Sequence, residues 1–214
     1  AAVGGTTPLT SLTTDAGGTT AINGGGVTTT GAQSYGDNVT LGAATTLAST
    51  GAGNITITGT TNGGQTLAVN TTGATTFTGA VGGTTPLTSL TTDAGGTVSL
   101  GSVTTTGVQS YGENATLNGT YTTTNSAFSV AGTTTLGGAT TVSTGSGNAT
   151  FTGAVNGGNT LTVNSTGATL FSAAVGGTTP LTSLTTDAGG TTAINGGGVT
   201  TTGAQSYGDN VTLG

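Results

Sequence analysis

Apolar residues along this chain come two apart, in very short runs. Val39-Thr-Leu41, Ile55-Thr-Ile57, Leu67-Ala-Val69 and Leu161-Thr-Val163 each put two apolar side chains on one side of an extended segment and a small residue, Thr or Ala, on the other. Between the runs lie Gly-Gly, Gly-Gly-Gly or Asn-Gly-Gly, which permit the positive-φ turns of sharp corners. Gly and Thr are poor helix formers, whereas Thr, Val and Ile suit a pleated surface. The pattern therefore predicts short strands and no helix.

The strands recur in units. Thr19–Asn38, Val39–Asn54, Ile55–Ala74 and Thr75–Gly96 read as successive coils of 20, 16, 20 and 22 residues. In this phrasing Thr19, Val39, Ile55 and Thr75 open the first strand of each coil, and Ala21, Leu41, Ile57 and Phe77 take its third position. A second strand follows at Thr46–Ala48, Thr66–Val69 and Thr160–Val163.

A longer repeat overlies the coils. The stretch Ala2–Gly18 returns verbatim at Ala80–Gly96 and Ala174–Gly190, and residues 2–42 and 174–214 are identical. Each copy leads to a related ending: Gly31-Ala-Gln-Ser-Tyr-Gly-Asp-Asn38, Gly107-Val-Gln-Ser-Tyr-Gly-Glu-Asn114 and Gly203-Ala-Gln-Ser-Tyr-Gly-Asp-Asn210. The second block is longer by one coil, inserted around Tyr121–Gly138. A single coil cannot bury its few apolar side chains, but stacked coils can, and a stack tolerates insertion of a whole unit. The expected fold is all-β: a right-handed parallel β-solenoid (β-helix) of about eleven coils of 16–22 residues. It forms one repeat array over 1–214, with blocks 2–79, 80–173 and 174–214. Handedness follows only the general preference for right-handed crossovers. An immunoglobulin-like sandwich is the rival, but it does not explain coils inserted whole.

Composition narrows the chemistry. The chain has 44 Gly and 61 Thr among 214 residues, and no Lys, Arg, His, Cys, Met or Trp. Without His or Cys there is no usual zinc, haem or iron–sulfur ligand set, and neither the commonest general base nor a thiol nucleophile. Without cations nothing neutralises phosphates, so nucleic acid is not an expected partner. No apolar run approaches the ~20 residues of a membrane helix. The first residue is Ala and both ends fall inside a repeat, so a piece of a longer secreted protein is expected.

Only six acids are present, and they form three pairs on neighbouring coils: Asp15 with Asp37, Asp93 with Glu113, and Asp187 with Asp209. Two carboxylates one strand spacing apart repel, and a bound calcium ion with corner carbonyls as further ligands would relieve that. The alternative is that both point into water, where screening makes the repulsion small. Such pairs could also serve glycoside hydrolysis, but here the pair is copied with the repeat, and no enzyme is expected. Asn38, Asn54, Asn70, Asn114, Asn148 and Asn164 recur about once per coil and suggest an amide ladder along the stack. Tyr35, Tyr111 and Tyr207 are expected to cover the core at corners, and Phe77, Phe128, Phe151 and Phe171 to lie within it. Pro8, Pro86 and Pro180 mark strand starts or loops where no ladder donor is needed. Files of Thr on a flat face would suit ice binding.

The Thr/Gly/Asn-rich units, with Val-Thr-Leu, Gly-Asn-Ile-Thr-Ile-Thr-Gly and Leu-Ala-Val-Asn-Thr-Thr-Gly repeated without cations, resemble the β-strand-repeat regions of large bacterial surface proteins, the filamentous-haemagglutinin-like and autotransporter-type adhesins. The resemblance covers essentially the whole chain. It implies a right-handed β-helical stalk exported to the cell surface, acting in adhesion, biofilm matrix or a surface filament. The expected function is thus a structural extracellular rod, self-associating end to end or against neighbouring repeats. An ice-binding solenoid and a calcium-stabilised surface-layer or biofilm protein are the alternatives.

Overall fold

The computed structural model describes residues 1–214 and contains strands and no helix. Every registered strand pair is parallel, and each joins a residue to one about twenty positions further on. One file of residues runs the whole length of the molecule: Val3, Val27, Leu47, Val69, Thr92, Tyr111, Val130, Phe151, Phe171, Ile194 and Leu213. The chain is therefore a β-solenoid with eleven rungs in this file, and at ~4.8 Å per rung the stack is about 48 Å long.

Three such faces enclose the core. Leu12–Thr14, Gln33–Tyr35, Ile55–Ile57 and Ala74–Phe77 begin the first face. Thr19–Ile22, Asn38–Leu41 and Thr61–Asn62 begin the second, and Gly26–Thr29, Thr45–Ser49 and Thr66–Asn70 the third. The long strands Asn114–Thr122 and Thr134–Gly145 bend through a corner and join the first two faces, with a register shift between Leu117 and Gly119. Alternation along each strand turns every second side chain inward. Thirty-five buried apolar residues form one continuous cluster from Ile22 to Ile194. All four Phe lie in it, as expected. The inserted coil supplies Tyr121 and Phe128, which meet edge to face at 5.7 Å, and Phe128, Phe151 and Phe171 continue as a file at 5.7 and 5.3 Å. Such pairs contribute about 0.5–1.5 kcal/mol each beyond the area they bury.

The coil phrasing needs correction. Along the full-length file the spacing between rungs runs from 19 residues, as between Thr92 and Tyr111, to 24, between Val3 and Val27. No 16-residue coil exists. Val39 pairs with Thr20 and Thr61 on the second face, whereas Ile55 pairs with Gln33 and Thr75 on the first. The expected file of Thr19, Val39, Ile55 and Thr75 thus splits over two faces.

The verbatim repeat also behaves unexpectedly. Val3 lies on the third face, Val81 on the second and Val175 on the first. The first block makes three full turns and two thirds of another, and the second makes four and two thirds. The insertion is therefore one whole turn, and each successive block starts a third of a turn away from its predecessor's phase. Local geometry nevertheless repeats. Gly4, Gly82 and Gly176 have φ of 68°, 69° and 70°, and each opens a five-residue excursion, Gly-Gly-Thr-Thr-Pro, from which the chain returns at Leu9, Leu87 or Leu181. The backbone of Thr28 holds both ends of the first excursion: its N–H donates to Val3 O at 2.9 Å and its carbonyl accepts from Leu9 N–H at 3.1 Å. Each Pro sits in the excursion, one residue before the ladder resumes, as its missing N–H requires.

These glycines give a direct test of the fold. A Cβ on Gly82 would lie 2.0 Å from Thr104 O, whereas one on Gly64 would meet nothing within 4 Å. Gly82→Ala is expected to cost about 2 kcal/mol or more, from the left-handed backbone and the clash together. Gly64→Ala should stay within about 0.5 kcal/mol of the parent. Urea unfolding followed by circular dichroism measures both.

Candidate functional sites

Three kinds of position combine unusual chemistry with a defined place in the stack: the Gln–Tyr pairs, the acid corners and the two ends.

The Gln–Tyr pairs were not anticipated as sites, and the tyrosines are not corner covers. Tyr35 and Tyr111 point straight into the core and are fully buried. Their hydroxyls donate to Gln33 Oε1 at 2.8 Å and Gln109 Oε1 at 3.3 Å. Each Gln amide then spans the core. Gln33 Nε2 donates to Val27 O at 3.2 Å and to Ala48 O, one coil further on, at 2.8 Å. Gln109 Nε2 does the same with Val103 O and Thr122 O at 3.3 and 2.9 Å. Thr29 and Thr105 complete the pattern at 3.3 Å from the amide nitrogens. Burial pushes the phenols of Tyr35 and Tyr111 up, so both remain neutral donors. In the last block Gln205 keeps its contacts to Val199 and Thr201 but has no coil beyond it and is exposed. The signal was present in the sequence: Gln stands two residues before Tyr in all three copies, so strand alternation turns both to the same side. A tie that satisfies buried carbonyls from two coils fixes their relative rotation.

The Asn residues act differently from an amide ladder. Asn38, Asn54, Asn114 and Asn148 each accept, through Oδ1, a backbone N–H of the following coil: Thr60, Ala74, Thr133 and Ala168, at 2.8–2.9 Å. Each Asn therefore caps a corner amide that the ladder leaves free. Asn164 makes only a long contact to Ser143 Oγ, at 3.4 Å.

The acids lie on neighbouring coils, but most face hydrogen-bond donors and not each other. Asp37 accepts from the Gly18 N–H at 2.8 Å and the Thr20 hydroxyl at 3.0 Å. Asp209 accepts from the Thr192 and Thr186 hydroxyls at 2.9 and 3.2 Å. Asp93 and Asp187 turn to the preceding coil and accept the N–H of Thr71 and Ser165, at 3.0 and 2.8 Å. Asp37 and Asp209 thus hold two donors each, whereas Asp93 and Asp187 engage Oδ1 alone. Asp15 stands on the first coil, with no preceding coil to supply that amide. Nowhere do three acids gather.

Glu113 is the exception. It is 3% exposed, and neither carboxylate oxygen has a hydrogen-bond partner. Two substitutions within the repeat explain this. The second block has Glu where the others have Asp, and Val98 where they have Thr20 and Thr192, so the hydroxyl that serves Asp37 and Asp209 is missing. Burial pushes the Glu113 carboxyl up to about 7. The Thr92 hydroxyl and Gly96 amide stand near enough to pull the other way, without closing hydrogen bonds, and the Asp93 charge adds to the rise.

The two ends are apolar. At the first, a cleft of about 390 Å³ is lined by Val3, Leu12, Ile22, Val27 and Tyr35 among others. At the last, Ile194 and Leu213 line a second cleft, and Leu213 is 81% exposed. No other cleft is found along the rod.

Comparison of the chain with protein-family models, with curated proteins and with solved structures gives no match in any of the three.

The Gln tie yields a measurable expectation. Gln109→Leu keeps the volume but leaves the buried Tyr111 hydroxyl without its acceptor and removes the amide's bonds to the Val103 and Thr122 carbonyls, and should cost about 1–3 kcal/mol. Gln205→Leu, at the exposed end, should cost less than about 0.5 kcal/mol. Equilibrium denaturation of the two variants side by side gives the comparison.

Proposed function

We propose that this chain is a structural, rod-forming segment of a secreted bacterial surface protein, a stalk that carries a binding tip or a unit of an extracellular filament. One observation carries the reading: a single core file runs unbroken from Val3 to Leu213, and the only clefts are at its two ends. Its sides offer no pocket for a small substrate, and every carboxylate but the exposed Asp15 is occupied by structural hydrogen bonds or buried. The mechanism is mechanical. Load along the axis is shared by the parallel ladders of three faces, the Gln ties and a continuous apolar column. The absence of Lys and Arg leaves trypsin-like proteases no cleavage site, which suits an extracellular location.

The ends supply the partner. Leu12–Thr14 and Thr19–Ile22 at one end, and Gln205–Tyr207 and Asn210–Leu213 at the other, present a free ladder edge beside exposed apolar side chains. An unpaired parallel edge of this sort is a template for another strand. A second copy stacked head to tail, or a neighbouring repeat, continues the file from Leu213 to Val3 and covers both clefts. Sedimentation velocity is expected to show end-to-end association that grows with concentration, with rods by electron microscopy. Leu213→Asp and Val3→Asp should each abolish it. A chain that stays monomeric near 100 µM would remove the filament reading and leave the stalk.

A second reading has its own observation. On the second face the outward residues Thr120, Thr141, Thr162, Thr185 and Ser206 form a hydroxyl file, flanked two residues on by Thr122, Ser143 and Asn164. Paired Thr files at strand spacing are what an ice-binding surface needs, but the flanking file passes from Thr to Ser to Asn within three rungs. Thermal hysteresis of the purified chain would favour ice binding over the rod; none is expected.

A further inference from the structure

The Glu113 corner is the one place where the stack is chemically unfinished. A carboxylate that is 97% buried by area and unpartnered is costly, because nothing replaces the water it loses. What surrounds it is oxygen. A methyl group placed on Gly96 would lie 2.0 Å from Gly73 O, 2.8 Å from Glu113 Oε2 and 3.0 Å from Thr71 O, so two carbonyls of the preceding coil and one carboxylate oxygen of the following coil crowd around the Gly96 backbone. The only other bond on Gly73 O is a long one from the Thr97 N–H, 3.4 Å. The Thr92 hydroxyl beside Glu113 is also buried and unpartnered. Asp93 commits Oδ1 to the Thr71 N–H and makes no hydrogen bond through Oδ2.

The equivalent corner of the third block shows what is special here. The same spot beside Gly190 meets Gly167 O and Ser165 O, at 2.2 and 2.5 Å, but no carboxylate, because Asp209 turns to the Thr192 and Thr186 hydroxyls. Only the second block sends a longer acid to the carbonyl pair and deletes the hydroxyl donor. Carboxylate and carbonyl oxygens repel unless something positive lies between them. Apart from the terminal amine the chain has no positive group, so that charge must come from solution.

We propose that the Asp93–Glu113 corner is a site for one hard divalent cation, with calcium the best match. The Glu113 carboxylate, Asp93 Oδ2, the Thr92 hydroxyl and the Thr71 and Gly73 carbonyls form its ligand set. Calcium takes six to eight oxygens in flexible geometry, including carbonyls and hydroxyls, whereas magnesium demands an octahedron and keeps its water. No nitrogen or sulfur ligand is present for a softer metal. The site pins three successive coils of the middle block, where no staple of covalent chemistry exists.

The test is thermal unfolding of the full chain at pH 8, in millimolar calcium and in chelator. Calcium is expected to raise the midpoint by about 4 °C or more. Glu113→Gln should abolish that shift, whereas Asp37→Asn and Asp209→Asn should leave it. Glu113→Gln removes the unpartnered charge without changing the shape, so it is expected to fold, and its own midpoint in chelator reports that. The proposal is overturned if calcium leaves the midpoint unmoved, or if the shift survives in Glu113→Gln. It is equally overturned if calcium has no effect while stability in chelator falls as pH rises from 5 to 8. In that case a proton, held below neutrality and lost above it, is what neutralises the corner. None of these outcomes bears on end-to-end association, so the rod reading stands or falls separately.

Discussion

Everything in this molecule depends on the axial ladder, the row of parallel backbone hydrogen bonds between each coil and the next. A coil of nineteen to twenty-four residues makes almost no backbone bonds within itself, because its three short strands stand apart on different faces of the core. Its N–H and C=O groups are satisfied only by the coils before and after. Its inward side chains, a handful of Val, Leu, Ile and Thr, bury little surface alone. Stability therefore belongs to interfaces and not to coils, as expected of a one-dimensional stack.

The rotation of the repeat follows from this. The copies Ala2–Gly18, Ala80–Gly96 and Ala174–Gly190 have the same sequence and the same excursion with the same left-handed Gly, yet they lie on three different faces. Local sequence determines where the chain bends and which side chains turn inward. It does not determine which face a strand joins, since that depends on how many thirds of a turn precede it. The inserted coil in the second block adds a whole turn and leaves the phase unchanged. Each block ends a third of a turn short of closure, so the excursion loops are distributed around the rod and do not line one side.

That is also why the architecture was legible in the sequence while the coil boundaries were not. Two-residue apolar spacing, glycine corners and a whole-unit insertion pointed to a solenoid, and the second strands at Thr46–Ala48, Thr66–Val69 and Thr160–Val163 lie within strands of the structure. But Val39-Thr-Leu41 and Ile55-Thr-Ile57 look alike on paper, and nothing in either says that one belongs to the second face and the other to the first. Corners rich in Gly and Thr are too similar to fix the phase. Side-chain roles were readable where alternation alone decides them, as for the four Phe. They were misread where the partner sits on another coil. Tyr35 and Tyr111 were expected to cover the core at corners, yet the Gln two residues earlier gives each hydroxyl a partner in the core. The Asn residues bond to the amides of the next coil and not to each other.

The acids show how far stacking can alter the meaning of a residue. Pairing on neighbouring coils was readable from the repeat, but proximity did not decide the chemistry. Asp37 and Asp209 find hydroxyls on Thr20 and Thr192, so their corners need nothing further. Replacing that Thr by Val98 and lengthening the acid to Glu113 leaves the backbone path unaltered, and it changes a hydrogen-bonded carboxylate into an unpartnered one among carbonyls. Each change alone would be mild. A shorter acid beside Val98 could still reach the Gly96 amide, as Asp37 reaches Gly18, and a Glu beside a Thr could fold back onto its hydroxyl. It is the two together, within one otherwise copied block, that create the only buried carboxylate in the rod without a partner of its own.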